Sequence, residues 1–385
     1  MLACQRDLFE IPEDVVYLNC AYMSPFLRSV RAMGEKAVAR KSQPWNIHAR
    51  DFFEEAETLR QLFAQLIGTD ADGIALVPAA SYGISVAAAN LPLKKQQRIV
   101  LLEDQFPSNV YQWQEVASRS GAIIDTIERP QDGDWTRAVL QHIDDQTRIV
   151  AIPNCHWTDG SIVDLQRVGV RTREVGAALV VDATQSLGAY PLNVTDVQPD
   201  FLVSAAYKWL LGPYSLGFLY VAPQHRQGTP IEFPWANREG SEDFAQLVNY
   251  RSTFQPGARR FDVGERSNFI LLPMAIVALQ QILQWGVLVI DITLRELTTQ
   301  IEHEAMNLGF QTVAAHHRVD HMIGLRHPSG LPVHLAEELT KKNVFVSIRG
   351  QSIRVSPYLY NTLGDIDQLF RVLASIMLAS NGSGE

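Results

Sequence analysis

Short apolar runs, each bounded by Gly, Pro, Asn, Asp or other polar residues, recur at residues 74–77, 98–102, 148–153, 179–182, 201–204 and 216–221. This is the pattern of strands buried in a sheet. A further run at 15–19 leads into a turn ending at Pro25, which predicts a small strand near the start of the chain. Between the strands the periodicity changes. Phe52, Phe53, Ala56, Leu59, Leu62, Phe63, Leu66 and Ile67 recur at helical spacing and Gly68 closes the segment, so 49–67 reads as a helix with one face on the core. Small residues after Ser81 suit a second helix start, and another helical stretch runs toward Gly176. Strands alternating with helices predict an α/β fold with a mostly parallel central sheet covered on both faces. From 272 to about 308 the chain reads helical with a break near Gly286. We place a domain boundary there: an N-terminal arm (1–25), a large domain (26–285) and a smaller α+β C-terminal domain (286–385), in which 319–325 reads as a strand.

The 385 residues are enough for a substantial core, and a formal charge of −9 with no basic run argues against a dedicated nucleic-acid or acidic-membrane binder. Cys4, Cys20 and Cys155 lie far apart, which fits a reducing compartment rather than a disulfide framework. No apolar run approaches the roughly 20 residues of a membrane span, and the opening MLACQRDLFEIPEDV is too acidic and interrupted for a signal peptide. A cytoplasmic location is the expectation.

The chemistry concentrates between 179 and 221. The run at 179–182 ends on Asp182, and the run at 201–204 stops four residues before Lys208. Charges at the ends of buried strands are costly unless they are paired or used. A structural ion pair is one explanation. Pyridoxal phosphate is another, because it needs a lysine amine for its aldehyde and an acid beside its ring nitrogen. On that reading Gln185 donates to the ring hydroxyl and Tyr207 reaches the phosphate.

The pair DATQ and SAAYKWLLGP, with PDF shortly before the second, resembles the class V aminotransferase group of fold type I enzymes, which includes cysteine desulfurases and kynureninases. The resemblance spans residues 17–364. It implies a pyridoxal-phosphate-dependent transferase fold with Lys208 as the catalytic lysine and Asp182 and Gln185 on the cofactor. Ala80, Ser81 and Tyr82 match the turn that holds the cofactor phosphate, a strand-to-helix turn of the kind that presents free backbone N–H groups. Phe106, followed by Pro107, matches the kynureninase pattern, and an aromatic there can stack on a pyridine ring. Many desulfurases carry histidine at this place and also just before the lysine, where this chain has Tyr207. The family serine near the lysine is displaced, with Ala205 in its place and Ser204 one residue early.

Further along, Asn154, His156, Trp157 and Thr158 are all candidates for a contact to the ring hydroxyl. The segment FQPGARRFDVGERSN resembles the one through which a neighbouring subunit reaches into the site, which implies a homodimer. Glu265 stands where a threonine is common, so Ser267 or Asn268 is the expected phosphate contact. Arg349 and Arg354 could both be surface charges on a strand, but Arg354 through Tyr360 and Asn361 match the family's carboxylate-binding motif, which makes Arg354 the expected substrate clamp. His316, His317, His321 and His327 lack a Cys or a paired carboxylate, so no metal is expected. Only GQSI separates Arg349 from Arg354, leaving no cysteine where desulfurases have one, which disfavours persulfide chemistry. Aminotransferase-type action on an α-amino acid is the first expectation. A β-lyase of kynureninase or C–S type, or an epimerase, is the alternative, and a silent binding protein on the same fold is a third.

Overall fold

The computed structural model describes residues 1–382. In chain order its strands are β1 (Val16–Tyr17), β2 (Ile74–Val77), β3 (Arg98–Leu102), β4 (Ile123–Ile127), β5 (Thr147–Pro153), β6 (Ala178–Asp182), β7 (Phe201–Ala205), β8 (Gly217–Val221), β9 (Ile323–Arg326), β10 (Val344–Phe345), β11 (Ser347–Arg349) and β12 (Ser352–Val355). The helices are α1 (Arg28–Lys41), α2 (Glu54–Ile67), α3 (Ala80–Asn90), α4 (Tyr111–Ser120), α5 (Trp135–His142), α6 (Leu165–Val175), α7 (Val194–Val197), α8 (Leu271–Trp285), α9 (Val287–Asn307), α10 (Leu335–Lys341) and α11 (Leu363–Gly382).

A seven-stranded sheet, ordered β2-β8-β7-β6-β5-β3-β4, is built from residues 74–221. Every pairing is parallel except those of β8, which runs against both β2 and β7. Two reversals cancel, so β2 points the same way as the parallel set. The carboxyl ends of β2, β3, β5, β6 and β7 therefore lie along one edge, the place where open α/β sheets bind ligands. Strands β6, β7 and β8 are buried at every position, which explains their unbroken apolar runs. Alternate residues feed two cores: Val180, Val203 and Leu219 face one, Val181, Leu202 and Phe218 the other. On the second face the Phe63 ring of α2 stacks on Phe218 at 4.0 Å.

Where the pattern and the structure differ, the backbone hydrogen bonds explain why. The stretch at 49–67 is a 3₁₀ turn, Ala49–Phe52, followed by α2. The Asp51 carboxylate accepts the His48 N–H at 2.7 Å and closes the turn before the helix begins. The strand expected at 319–325 is confined to β9. Val319 N–H donates to Gly160 O and Gly324 N–H to Asp159 O, so this segment braces the loop after β5 rather than extending a ladder.

A second, antiparallel sheet, β11-β12-β9, lies in the C-terminal part of the chain, with α9 lying against β9 and α11. At Gly286 the axes of α8 and α9 bend by 76°, with a positive φ of 79° that glycine tolerates. Strand β1 pairs in parallel with β10, so residues 16–17 are tied to the C-terminal part of the chain. Among the described residues no single helix is long and apolar enough to cross a membrane.

Gly188 permits a close approach that matters for the site. Its φ is +97°, and a Cβ there would lie 2.3 Å from Trp209 O, one residue beyond Lys208. Gly188→Ala is expected to lower the unfolding free energy by more than about 2 kcal/mol through backbone strain and overpacking, as read by urea denaturation. Unchanged stability would mean that the lysine turn moves freely.

Candidate active site

A cavity of about 300 Å³ opens at the carboxyl edge of the sheet and is lined by Asp182, Lys208, Phe106, Trp157, Gln185 and the start of α3, among others. Lys208 follows β7 in a tight turn whose bonds include Leu211 N–H to Lys208 O at 3.0 Å and Gly212 N–H to Ala206 O at 2.9 Å. Its side chain is buried. Burial pushes the amine down to about 8, Arg354 and Arg349 add to the effect, and Asp182 opposes it. Burial raises the Asp182 carboxyl against hydrogen bonds from Thr184, one of them Thr184 N–H to Oδ1 at 3.0 Å. Among the described residues no ion pair of 4.0 Å or less joins Asp182 to Lys208. They face one cavity without pairing, which speaks against a purely structural pair.

The neutral amine is the nucleophile toward an aldehyde. Capture of pyridoxal phosphate by the apoprotein should therefore accelerate about tenfold per pH unit on approaching 8 from below and level off above it. Stopped-flow absorbance checks this; a flat profile between pH 6.5 and 9 would contradict the lowered lysine.

The start of α3 forms one wall, where Pro78, Ala79, Ala80 and Ser81 line the cavity. The first N–H groups of a helix lack intrahelical acceptors, and no cap side chain covers them here. Tyr82 departs from expectation. Its N–H donates to Ala79 O at 3.1 Å, and its phenol, raised by burial and by the nearby Glu232 carboxylate, does not line the cavity. Tyr207 does line it, beside Tyr214 at 4.6 Å between ring centroids. Asn109 also lines the cavity, and its Nδ2 is buried without an acceptor while its Oδ1 takes the Trp113 indole N–H at 2.9 Å.

Phe106 sits over Lys208, with Nζ 5.3 Å from the ring centroid, and meets Trp157 edge-on at 5.4 Å. Gln185 is oriented from both ends: Nε2 donates to Ala21 O at 3.1 Å and Oε1 accepts from Trp209 Nε1 at 3.0 Å. One Nε2 hydrogen remains for a ligand. Of the candidates at 154–158 only Trp157 lines the cavity, together with Cys155. Both His156 ring nitrogens are occupied, Nε2 by Glu103 O at 3.0 Å and Nδ1 by Thr158 Oγ1 at 2.8 Å. Arg129 bonds Thr158 at 3.1 Å and Asp159 at 2.5 Å. This buried cluster aims the Trp157 loop. Asn154 lines a separate cleft instead.

Arg354 on β12 is buried, with Nη1 donating to Trp157 O at 2.8 Å. Its Nε and Nη2 are buried without a partner. Burial, with Arg349 adding to it, lowers this guanidinium to about 9. Ser267 lies away from the cavity of its own chain and donates to Phe52 O at 2.5 Å. Ser204 is buried within β7 and likewise does not line the cavity. Among the described residues no three His, Cys, Asp or Glu gather as a metal site. His321 instead packs on Trp209 and donates to Gln185 O at 2.7 Å, and burial holds its imidazole down at about 4.

The sequence profile of class V aminotransferases matches residues 33–369. The chain belongs to the class V aminotransferase family. An uncharacterised aminotransferase of Bacillus subtilis is 29% identical over 81% of each chain. The isopenicillin N epimerase of Streptomyces clavuligerus is 27% identical over 64% of each, and the kynureninase of Deinococcus radiodurans 27% identical over 68% of this chain and 64% of that one. In structure, the apo cysteine desulfurase of Thermococcus onnurineus superposes with a TM-score of 0.84 over 98% of both chains at 18% identity, which shows the shared fold.

This class V aminotransferase is a pyridoxal-phosphate-dependent enzyme. Its cavity fits that cofactor: an uncapped helix start with small residues, a buried amine lowered toward neutrality, a buried acid and an exposed aromatic lid converge on one space.

Proposed function

We propose that this enzyme transfers the amino group of a small α-amino acid. The observation that carries the reading is Arg354, a buried guanidinium whose Nε and Nη2 have no acceptor and whose charge acts on Lys208. A planar fork of donors matches a carboxylate bidentately. An α-amino acid brings that carboxylate together with an amine and an α-proton one carbon away.

Pyridoxal phosphate, when bound, supplies an aldehyde that takes up the substrate's amine and a ring that stores the electron pair of the Cα–H bond. Ala80 and Ser81 would hold its phosphate with backbone N–H groups, Asp182 its ring nitrogen, Gln185 its ring hydroxyl and Phe106 one face. Lys208 takes the Cα proton and gives a proton back, which its lowered pKa of about 8 suits. Cys155 lines the same space, but burial raises its thiol, so Lys208 is the base.

A second reading, loss of a substituent from the β-carbon, is favoured by Tyr207, whose phenol lines the cavity and can protonate a leaving group. Product analysis over an amino-acid panel separates them. Amino transfer without an acceptor yields one equivalent of keto acid and stops. Continuous release of ammonia and a shortened product would replace it with the lyase reading, and loss of α-deuterium without either would indicate an epimerase.

The same reading includes a homodimer. The segment bearing Phe233, 64% exposed, and Tyr250, 98% exposed, presents aromatic surface beside the sequence in which Ser267 lies. Sedimentation velocity should give a dimer; an active monomer would exclude Ser267 as a contact to a second copy's phosphate.

A further inference from the structure

Most buried arginines of this chain have acidic partners. Arg60 and Arg266 share Asp262 and Arg318 holds Glu302, and the half-buried Arg129 likewise holds Asp159. Arg349 and Arg354 differ: among the described residues neither has a carboxylate within ion-pair distance.

Strand register places them together. In the β11–β12 hairpin Ser347 is opposite Arg354 and Arg349 opposite Ser352. Opposed residues share a face, and so do residues two apart along a strand. Arg349 and Arg354 therefore project from one face as diagonal neighbours. Both guanidinium carbons lie over the Trp157 ring, at 5.4 Å and 6.0 Å from its centroid, and Trp157 lines the cavity. Arg349 Nη1 is tied to Ile348 O at 2.8 Å, which fixes the fork, while Nε is buried without an acceptor. Arg349 is half-buried, and its link to the cavity is Trp157, the ring over which both guanidinium groups lie.

Resting on the assignment of Arg354 to the α-carboxylate, we propose that Arg349 is a specificity-determining residue forming a second anion subsite, and that the preferred substrate is an amino acid whose side chain ends in a carboxylate. Two adjacent cations repel each other. A monocarboxylate neutralises one of them and leaves the other's buried donor unmet, whereas a dicarboxylate satisfies both. The cofactor's phosphate does not fill this role, because the first turn of α3 provides for it separately. Arg349 also lowers the Lys208 amine, so an anion bound there makes Lys208 more basic as the acidic substrate arrives.

The test compares acids with their amides on the holoenzyme. Calorimetry with succinate, glutarate and adipate against their monoamides measures binding. Turnover of aspartate, glutamate and 2-aminoadipate against asparagine and glutamine measures kcat/KM. The acid of the best-fitting length should exceed its amide by about 10- to 100-fold. Arg349→Gln should collapse that ratio to below about threefold, and Arg349→Lys should restore part of it. Equal binding of acid and amide to the unmodified enzyme, or an unchanged ratio in Arg349→Gln, overturns the second subsite and leaves the α-carboxylate reading intact. Unchanged binding of acid and amide alike in Arg354→Gln overturns the α-carboxylate reading instead.

Discussion

Lys208→Ala is expected to lower kcat by about 10³ or more while leaving the fold in place. Proton transfer by a positioned side chain alone accounts for about 10²–10⁴, and the same amine is the anchor for the cofactor's aldehyde. Borohydride should fix the cofactor to the unmodified chain and fail to fix it to the variant. The variant should unfold no more easily than the parent, because Lys208 is a buried amine held below its usual pKa, and removing it relieves desolvation. A variant retaining a tenth of the activity would move the proton transfer to another group.

Arg354→Gln should cost about 10²–10³ in kcat/KM for every substrate, from loss of two charge-assisted hydrogen bonds of about 1.5–3 kcal/mol each, partly replaced by the amide. The free protein should respond in the opposite direction. Two buried donors without partners cost about 1–3 kcal/mol apiece, so Arg354→Met is expected to unfold at higher denaturant concentration than the parent even though the bond to Trp157 O is lost. Stability gained as activity disappears is the signature of a group kept for its ligand. A variant that loses both together would make Arg354 a structural residue of the C-terminal part of the chain.

The strand ends that carry Asp182 and Lys208 are legible in the sequence because unbroken apolar runs make a terminal charge conspicuous. The turn into α3 that lines the cavity is legible as small residues between a strand and a helix. What is not legible depends on direction in space. Strand β4 is partly exposed along most of its length, and its Asp125 and Thr126 hide the apolar signal. Whether Trp157 or a neighbour enters the cavity is decided by the Arg129–Asp159–His156 cluster, which joins residues some 30 apart. Tyr82 follows Ser81 directly, yet its side chain leaves the cavity for Glu232, a residue far along the chain. Asn109 gives no sequence signal until its partner Trp113 is seen one helical turn away. Arg349 becomes a neighbour of Arg354 only once the hairpin register is known, because a slip of one position would send it to the opposite face.

The pairing of β1 with β10 sets an order of events during synthesis. Asn19 must wait for Ser347, 328 residues later, to complete their hydrogen bond, and the Val16 and Leu18 N–H groups wait for their acceptors on Asn343 and Phe345. At about 5–20 residues per second that interval is on the order of tens of seconds. The sheet that carries Asp182 and Lys208 leaves the ribosome well before it ends. Ala21 O, the acceptor that orients Gln185, arrives at its post only when the arm docks. Residues 16–21 are thus made early and are among the last to pack, and the nascent sheet can meet its cofactor while that side of the cavity is still open.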